Sequence, residues 1–154
     1  MLIRPATPAD IPVVMALERA APEAAHWSHA QYQEATGNSG PHRVALLIVE
    51  ESIAEKEAPV RGFLVARELN REWEIENIVI SAGVRRRGLG ARLLLAFLDG
   101  ARNESANAVF LEVRKSNLGA RKLYENSGFV HSGSRRLYYR EPQEDAELYR
   151  LIFL

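Results

Sequence analysis

Apolar and polar positions change rhythm along the 154-residue chain, and each change marks an element. Leu2 to Arg4 reads as a short strand. Thr7, Pro8 and Asp10 then announce a helix: a capping residue, a proline suited to the first turn, and an acid at capping-box spacing. Ile11, Val14, Met15 and Leu17 form its buried stripe. Ser28 and Gln31 repeat the capping spacing and open a second helix that stops near Gly37. The rhythm then shortens. "RVALLIVE" (Arg43 to Glu50) and "RGFLVAR" (Arg61 to Arg67) are apolar and β-prone, and the polar "ESIAEKEAPV" between them reads as a hairpin connection. In "REWEIENIVI", alternation predicts Trp73, Ile75, Asn77 and Val79 on one face and Glu74, Glu76, Ile78 and Ile80 on the other.

Helical spacing returns with Leu89, Leu93, Leu94 and Phe97, followed by a buried strand, "AVFLEV". Asn117 to Asn126 reads as a further helix, with Gly128 just beyond it in the left-handed position that glycine tolerates. "FVHSGSRRLYY" and "AELYRLIFL" close the chain as an antiparallel pair joined by "REPQED". Strand and helices, a three-strand meander, helix, strand, helix and hairpin together predict an α+β fold, not a regularly alternating parallel sheet. No internal repeat or linker interrupts it, and one domain over residues 1–154 is expected.

Composition then removes function classes. Twenty Lys plus Arg balance twenty Asp plus Glu, so no global positive field recruits nucleic acid or an anionic membrane. Cysteine is absent, which excludes disulfides, thiolate metal sites and a cysteine nucleophile, and suits the cytoplasm. No apolar run reaches the roughly 18 residues of a membrane span. His26, His29, His42 and His131 show no ligand spacing, and no metal is expected.

The chemistry concentrates in "SAGVRRRGLGAR", where a strand meets a helix start through Gly88 and Gly90. The first N–H groups of a helix lack internal partners and sit at the positive end of its dipole, so this junction suits an anion. Leu93 stands where a dinucleotide fingerprint needs its third glycine, and Leu89 and Gly90 occupy the Lys and Ser/Thr places of a phosphate-binding P-loop. Both nucleotide readings fail on those residues. A tight turn with solvated arginines remains the plain alternative.

The R-x-x-G-x-G spelled by Arg85, Gly88 and Gly90 resembles the coenzyme A pyrophosphate loop of the GNAT superfamily of N-acetyltransferases. "LEVRKSNLGARKLYENSGF" (Leu111 to Phe129) and the tail "RRLYYREPQEDAELYRLIFL" are similar to the same superfamily, most closely to its ribosomal-protein-alanine N-acetyltransferase branch. Trp27 and Ser28 echo that branch near its acceptor groove, with His26 in place of a proline. The resemblance implies a single-domain GNAT fold: a mixed, mostly antiparallel twisted sheet of six to seven strands flanked by about four helices. It also implies acetyl-CoA as cofactor and an amine acceptor, a protein N-terminus and a ribosomal protein by branch analogy.

Site residues follow from the resemblance. The backbone of Arg86 to Ala91, with Leu89 between the glycines, holds the pyrophosphate, and Arg85, Arg86 and Arg87 add charge. Ile78, Val79 and Ile80 pair with the pantetheine arm as a missing strand would. Asn117 contacts that arm, a role that stands level with simply capping its helix. Tyr124 faces the sulfur as general acid, against a core role for a helix tyrosine. Glu112 interrupts an apolar strand and matches the branch's general base, against a surface pair with Arg114. Glu76 and then Glu74 are its rivals, and Glu74 with Arg71 also reads as an outer-face pair. Tyr138, Tyr139 and Trp27 fall where the acceptor groove closes. A monomer or homodimer is expected. A lysine or small-molecule acetyltransferase, a non-catalytic acyl-CoA-binding module and a basic nucleic-acid binder are the competing readings, the last opposed by the zero net charge.

Overall fold

The computed structural model describes residues 1–37, 40–51, 56 and 58–154. Its strands are β1 (Leu2–Pro5), β2 (Arg43–Val49), β3 (Val60–Leu69), β4 (Glu72–Ile80), β5 (Ala108–Arg114), β6 (Val130–Arg140) and β7 (Gln143–Ile152). The helices are α1 (Ile11–Arg19), α2 (His29–Thr36), α3 (Leu89–Asn103) and α4 (Leu118–Asn126). The seven strands form one sheet in the order β1-β2-β3-β4-β5-β7-β6. Only β4 and β5 run parallel. This is the α+β architecture expected from the sequence. Half of the expected β2–β3 connection, residues 52–55 and 57, lies outside the described residues.

Two cores form on opposite faces. Leu89, Leu93, Leu94, Phe97, Leu98 and Ala101 recur at helical spacing and press α3 onto Trp73, Ile75, Val109 and Leu111, with Tyr124 and Phe129 completing the cluster. Trp73 is 1% exposed and meets Phe97 edge to face at 5.6 Å. On the other face Ile11, Val14, Tyr32 and Ala35 of α1 and α2 cover Leu47, Phe63, Val65 and Val79.

One expectation fails, for a physical reason. Alternation along β4 was expected to keep Trp73, Ile75, Asn77 and Val79 on a single face. Instead Val65 opposes Asn77 while Ala66 opposes Ile75, which leaves Glu76 as the extra residue of a β-bulge. The bulge reverses the pattern. Trp73 and Ile75 face α3, as do Ile78 and Ile80, whereas Val79 joins the α1–α2 core. Asn77 turns to the same side, where its Nδ2 donates to Ala25 O at 3.1 Å and to the Tyr32 hydroxyl at 3.3 Å.

Candidate active site

The bulge sits where the sheet opens. β4 pairs with β5 only through Glu72–Ala108 to Ile75–Leu111. Beyond those residues β5 continues beside β7 and β4 beside β3, so a gap divides the sheet. Ser81 N–H donates to Arg61 O at 2.8 Å, and antiparallel ladders alternate their bonds. Asn77 and Val79 therefore spend their backbone groups on β3, while Ile78 and Ile80 turn theirs to the gap. Arg85 Nε reaches the Ile80 carbonyl at 3.0 Å, which fixes that side independently. Of the three residues expected to line the gap, Val79 does so only through its neighbours.

The gap leads to the start of α3. Arg86 and Gly88 both adopt left-handed backbone, at φ 62 and 76, and turn successive N–H groups inward as an anion nest. Gly88 caps the helix without a side chain. Among the described residues no backbone acceptor meets the N–H groups from Arg86 to Ala91; the first helical bond runs from Arg92 to Gly88 O at 3.1 Å. A Cβ on Gly90 would meet Leu123 of α4 at 3.3 Å and Ile80 at 3.6 Å, so glycine lets α3, α4 and the gap strand converge. The arginines divide their work. Arg85 is occupied, bonding Ile80 and pairing with Glu23 at 2.9 Å, while Arg86 and Arg87 are exposed.

α4 closes the other side of the gap. Asn117 Oδ1 accepts from Ala120 N–H at 3.2 Å, an ordinary cap. Tyr124 is 4% exposed, packs on Phe129 at 5.8 Å, and its hydroxyl has no hydrogen-bond partner among the described residues. Burial raises this phenol well above its ordinary pKa, with the nearby Tyr139 adding to the effect. Tyr139 in turn is pushed up to about 12 by its own burial and by Glu112.

Glu112 is the first residue of β5 beyond its pairing with β4. Leu111 and Val113 join the α3 core, so Glu112 projects from the opposite face into an open cleft of about 540 Å³ lined also by Arg67, Glu74, Phe110, Arg135 and Leu148. The expected Arg114 pair is not formed. Arg114 Nη1 lies 3.4 Å from Glu144 and its guanidinium stacks over Tyr139 at 4.3 Å. Arg135 Nε takes Glu112 instead, at 2.8 Å, and the Tyr138 hydroxyl lies near the same carboxylate, which raises its pKa. The rivals are engaged too: Glu76 by Arg43 Nε at 2.9 Å and Glu74 by Arg67 at 2.8 Å, the latter in place of Arg71, which bonds Ser105 O.

Arg135 was missed because its approach to Glu112 depends on strand order β5-β7-β6, which no local pattern encodes. A second omission is the polar network beneath the α1–α2 loop. Glu18 is 3% exposed and accepts from Trp27 N–H at 2.6 Å and from the Tyr32 hydroxyl, while Asn77 Oδ1 accepts from Ala25 N–H at 3.3 Å. It ties Trp27 and its loop to the bulge. Remote spacing also concealed His42, Glu68 and Glu104, whose ligand-type atoms lie within 4.8 Å of one another. They form a cluster at the surface, with Glu68 half-buried and His42 Nε2 3.5 Å from Glu104.

A divided sheet, a bare helix start and a flanking helix on a glycine contact can be set beside known proteins. Residues 13–129 match the model of the acetyltransferase (GNAT) family. The chain belongs to that family. It is 31% identical over 139 residues to the ribosomal protein bS18 alanine N-acetyltransferase of Salmonella typhimurium, covering 89% of this chain and 87% of that one. Over 75 residues it is 43% identical to the N-alpha-acetyltransferase RimI of Mycobacterium tuberculosis, covering 49% of this GNAT chain and only 46% of the relative. The crystal structure of the ribosomal-protein-S18-alanine N-acetyltransferase from Escherichia coli superposes with a TM-score of 0.78 at 26% identity, covering 98% of this chain and 92% of that one. The likeness read from Arg85, Gly88, Gly90 and the Leu111 to Phe129 stretch thus holds at the level of family and fold. No helix among the described residues is long and apolar enough to cross a membrane.

Proposed function

We propose that this GNAT chain transfers the acetyl group of acetyl-CoA to a protein N-terminal α-amine, with an N-terminal alanine of a ribosomal protein as the specific acceptor and the cytoplasm as the compartment. The observation that carries the reading is the run of unpartnered N–H groups from Arg86 to Ala91 at the end of the sheet gap. A pyrophosphate fits such a nest, and an amide-bearing arm satisfies the backbone of Ile78 and Ile80 as a strand would. Acetyl-CoA supplies the thioester.

The residues of the chain do the rest. The Ile78 N–H, fixed beside the bulge, stabilises charge on the thioester oxygen as the amine attacks. Glu112 removes one proton of the incoming ammonium and passes it to solvent. As the C–N bond forms and the C–S bond breaks, Tyr124 gives its proton to the departing sulfur, and the second proton lost by the nitrogen replaces it. Burial keeps Tyr124 protonated through and beyond the ordinary tyrosine range near 10, so the acid is in its working form at neutral pH.

The test follows free CoA thiol with acetyl-CoA and a panel of peptides beginning with alanine, lysine peptides with blocked N-termini, and polyamines. Release with the alanine peptides supports the reading. Release with lysine or polyamines alone moves the acceptor, and tight CoA binding without acceptor-dependent release leaves a binding module. Glu112→Gln is expected to lower turnover by about 100-fold, and Tyr124→Phe by about tenfold or more with little change in CoA affinity.

A further inference from the structure

The β6–β7 hairpin carries an irregularity next to Glu112. Tyr139 opposes Glu144 and Arg135 opposes Ala146, so Arg136, Leu137 and Tyr138 face Asp145 alone. Leu137 is forced into left-handed backbone at φ 49, a conformation that disfavours residues other than glycine. Its N–H donates to Asp145 Oδ1 at 2.8 Å. Asp145 is held in turn, since its carbonyl accepts from Lys115 N–H at 3.1 Å just past the end of β5.

This bulge does little for the core. Leu137 is 51% and Tyr138 50% exposed. What it does is aim side chains. Arg135, on one shoulder of the bulge, reaches the Glu112 carboxylate at 2.8 Å, and its guanidinium lies 5.7 Å from the ring of Tyr138, which the bulge takes out of the ladder and places near Glu112. An ordinary register would return Tyr138 to the ladder and take its ring from beside the Arg135 guanidinium.

We propose that Asp145 is a positioning residue for the acceptor side of the reaction: it holds Leu137 in the left-handed bulge, and the bulge sets Tyr138 against Arg135, which holds Glu112. This rests on Glu112 serving as the base. Without an acceptor for its N–H, Leu137 relaxes to ordinary backbone and Tyr138 swings away, with the sheet left intact.

The experiment compares Asp145→Ala and Asp145→Asn in three measurements: hydrogen exchange of the Leu137 amide, CoA affinity, and kcat and KM for a peptide beginning with alanine. Asp145→Ala is expected to speed that exchange by about tenfold or more and lower kcat/KM by about tenfold, with CoA affinity within about twofold. Asp145→Asn keeps an oxygen acceptor and stays near the parent protein. A protected Leu137 amide in Asp145→Ala overturns the proposal, as does a freely exchanging one with unchanged kcat/KM, or an equal loss in Asp145→Asn. Unchanged turnover in Glu112→Gln would remove the base reading itself, a result that Asp145 cannot produce.

Discussion

The helix starts of this molecule fall into two kinds. Ser28 Oγ accepts from Gln31 N–H at 3.2 Å and Gln31 answers the Ser28 N–H at 2.8 Å. Asn117 caps α4, and in the turn entering α1 Asp10 accepts from Thr7 N–H at 2.8 Å. α3, the longest helix at 15 residues, begins at Gly88 with no side-chain cap. Among the described residues no backbone acceptor meets its first N–H groups, and they lie at the end of the sheet gap. A cap stabilises a helix by about 1 kcal/mol, so leaving α3 bare forgoes stability and keeps its amides for a ligand. At α1 the Asp10 carboxylate turns back to the entering turn and does not cap its own helix, so the signal is not a missing cap alone but a start with no side-chain acceptor at all, set in left-handed backbone at a gap.

Giving α3 the side-chain acceptor that α2 and α4 have is the largest test. Gly88→Asp places a carboxylate at the open N–H groups, in a left-handed position that aspartate tolerates better than most residues. Repulsion of a bound pyrophosphate is then expected to weaken CoA binding by about 100-fold, and Gly88→Asn, which keeps the shape without the charge, by far less. Equal affinity for Gly88→Asp and the parent protein in calorimetry would place the anion elsewhere. The next effect concerns spacing. With Leu123 already 3.3 Å from a Cβ at position 90, Gly90→Leu overpacks the α3–α4 contact and is expected to weaken CoA binding by about tenfold or more. Arg87→Ala, which removes one exposed charge, should cost about threefold or less. The reverse order would make the arginines, not the backbone, the holders of the anion.

How much of this was legible in the sequence follows the same division. Features set by neighbours in the chain could be read directly: the Ser28–Gln31 and Thr7–Asp10 spacings, the leucine stripe of α3, and the left-handed Gly128 at φ 96. The glycine junction could be read because its chemistry is backbone chemistry over a few consecutive residues. Glu76 defeated the alternation rule because a bulge is decided by where Val65 and Ala66 pair across the ladder. The acceptor side was hidden for a related reason. Arg135 meets Glu112 over β7, and Asn77 meets Ala25 across 52 positions, contacts that sheet order creates. Arg114 looked like the partner of Glu112 from spacing alone, yet Glu144 and Tyr139 hold it.

Asn117 lies between the two kinds of start, since it caps α4 and borders the gap. Asn117→Asp keeps a capping oxygen and loses the amide nitrogen, whereas Asn117→Ala loses both. If the residue only caps, Asn117→Asp matches the parent protein in CoA affinity and thermal stability, and Asn117→Ala loses about 1 kcal/mol of stability alone. If the amide also contacts the cofactor arm, both variants weaken CoA binding by about threefold to tenfold. The two measurements together decide between roles that sequence left level.

The turn entering α1, closed by the Asp10 carboxylate, supplies the smallest effect and the control for the others. Arg4 grips Asp10 with two nitrogens at 2.9 and 2.8 Å, and that pairing, with the Thr7 N–H, lowers the Asp10 pKa from 3.8 to about 2. A carboxylate whose folded pKa is depressed stabilises the fold above its unfolded value and loses that contribution as pH falls through the folded one. Asp10→Asn is therefore expected to lower stability by about 1 kcal/mol at neutral pH, with the difference shrinking below the unfolded value of 3.8 and vanishing below about 2 in urea titrations. CoA affinity should not change. A loss of CoA binding in this variant would mean that the α1 start, like that of α3, serves the ligand, and the contrast between capped and bare helices would lose its meaning.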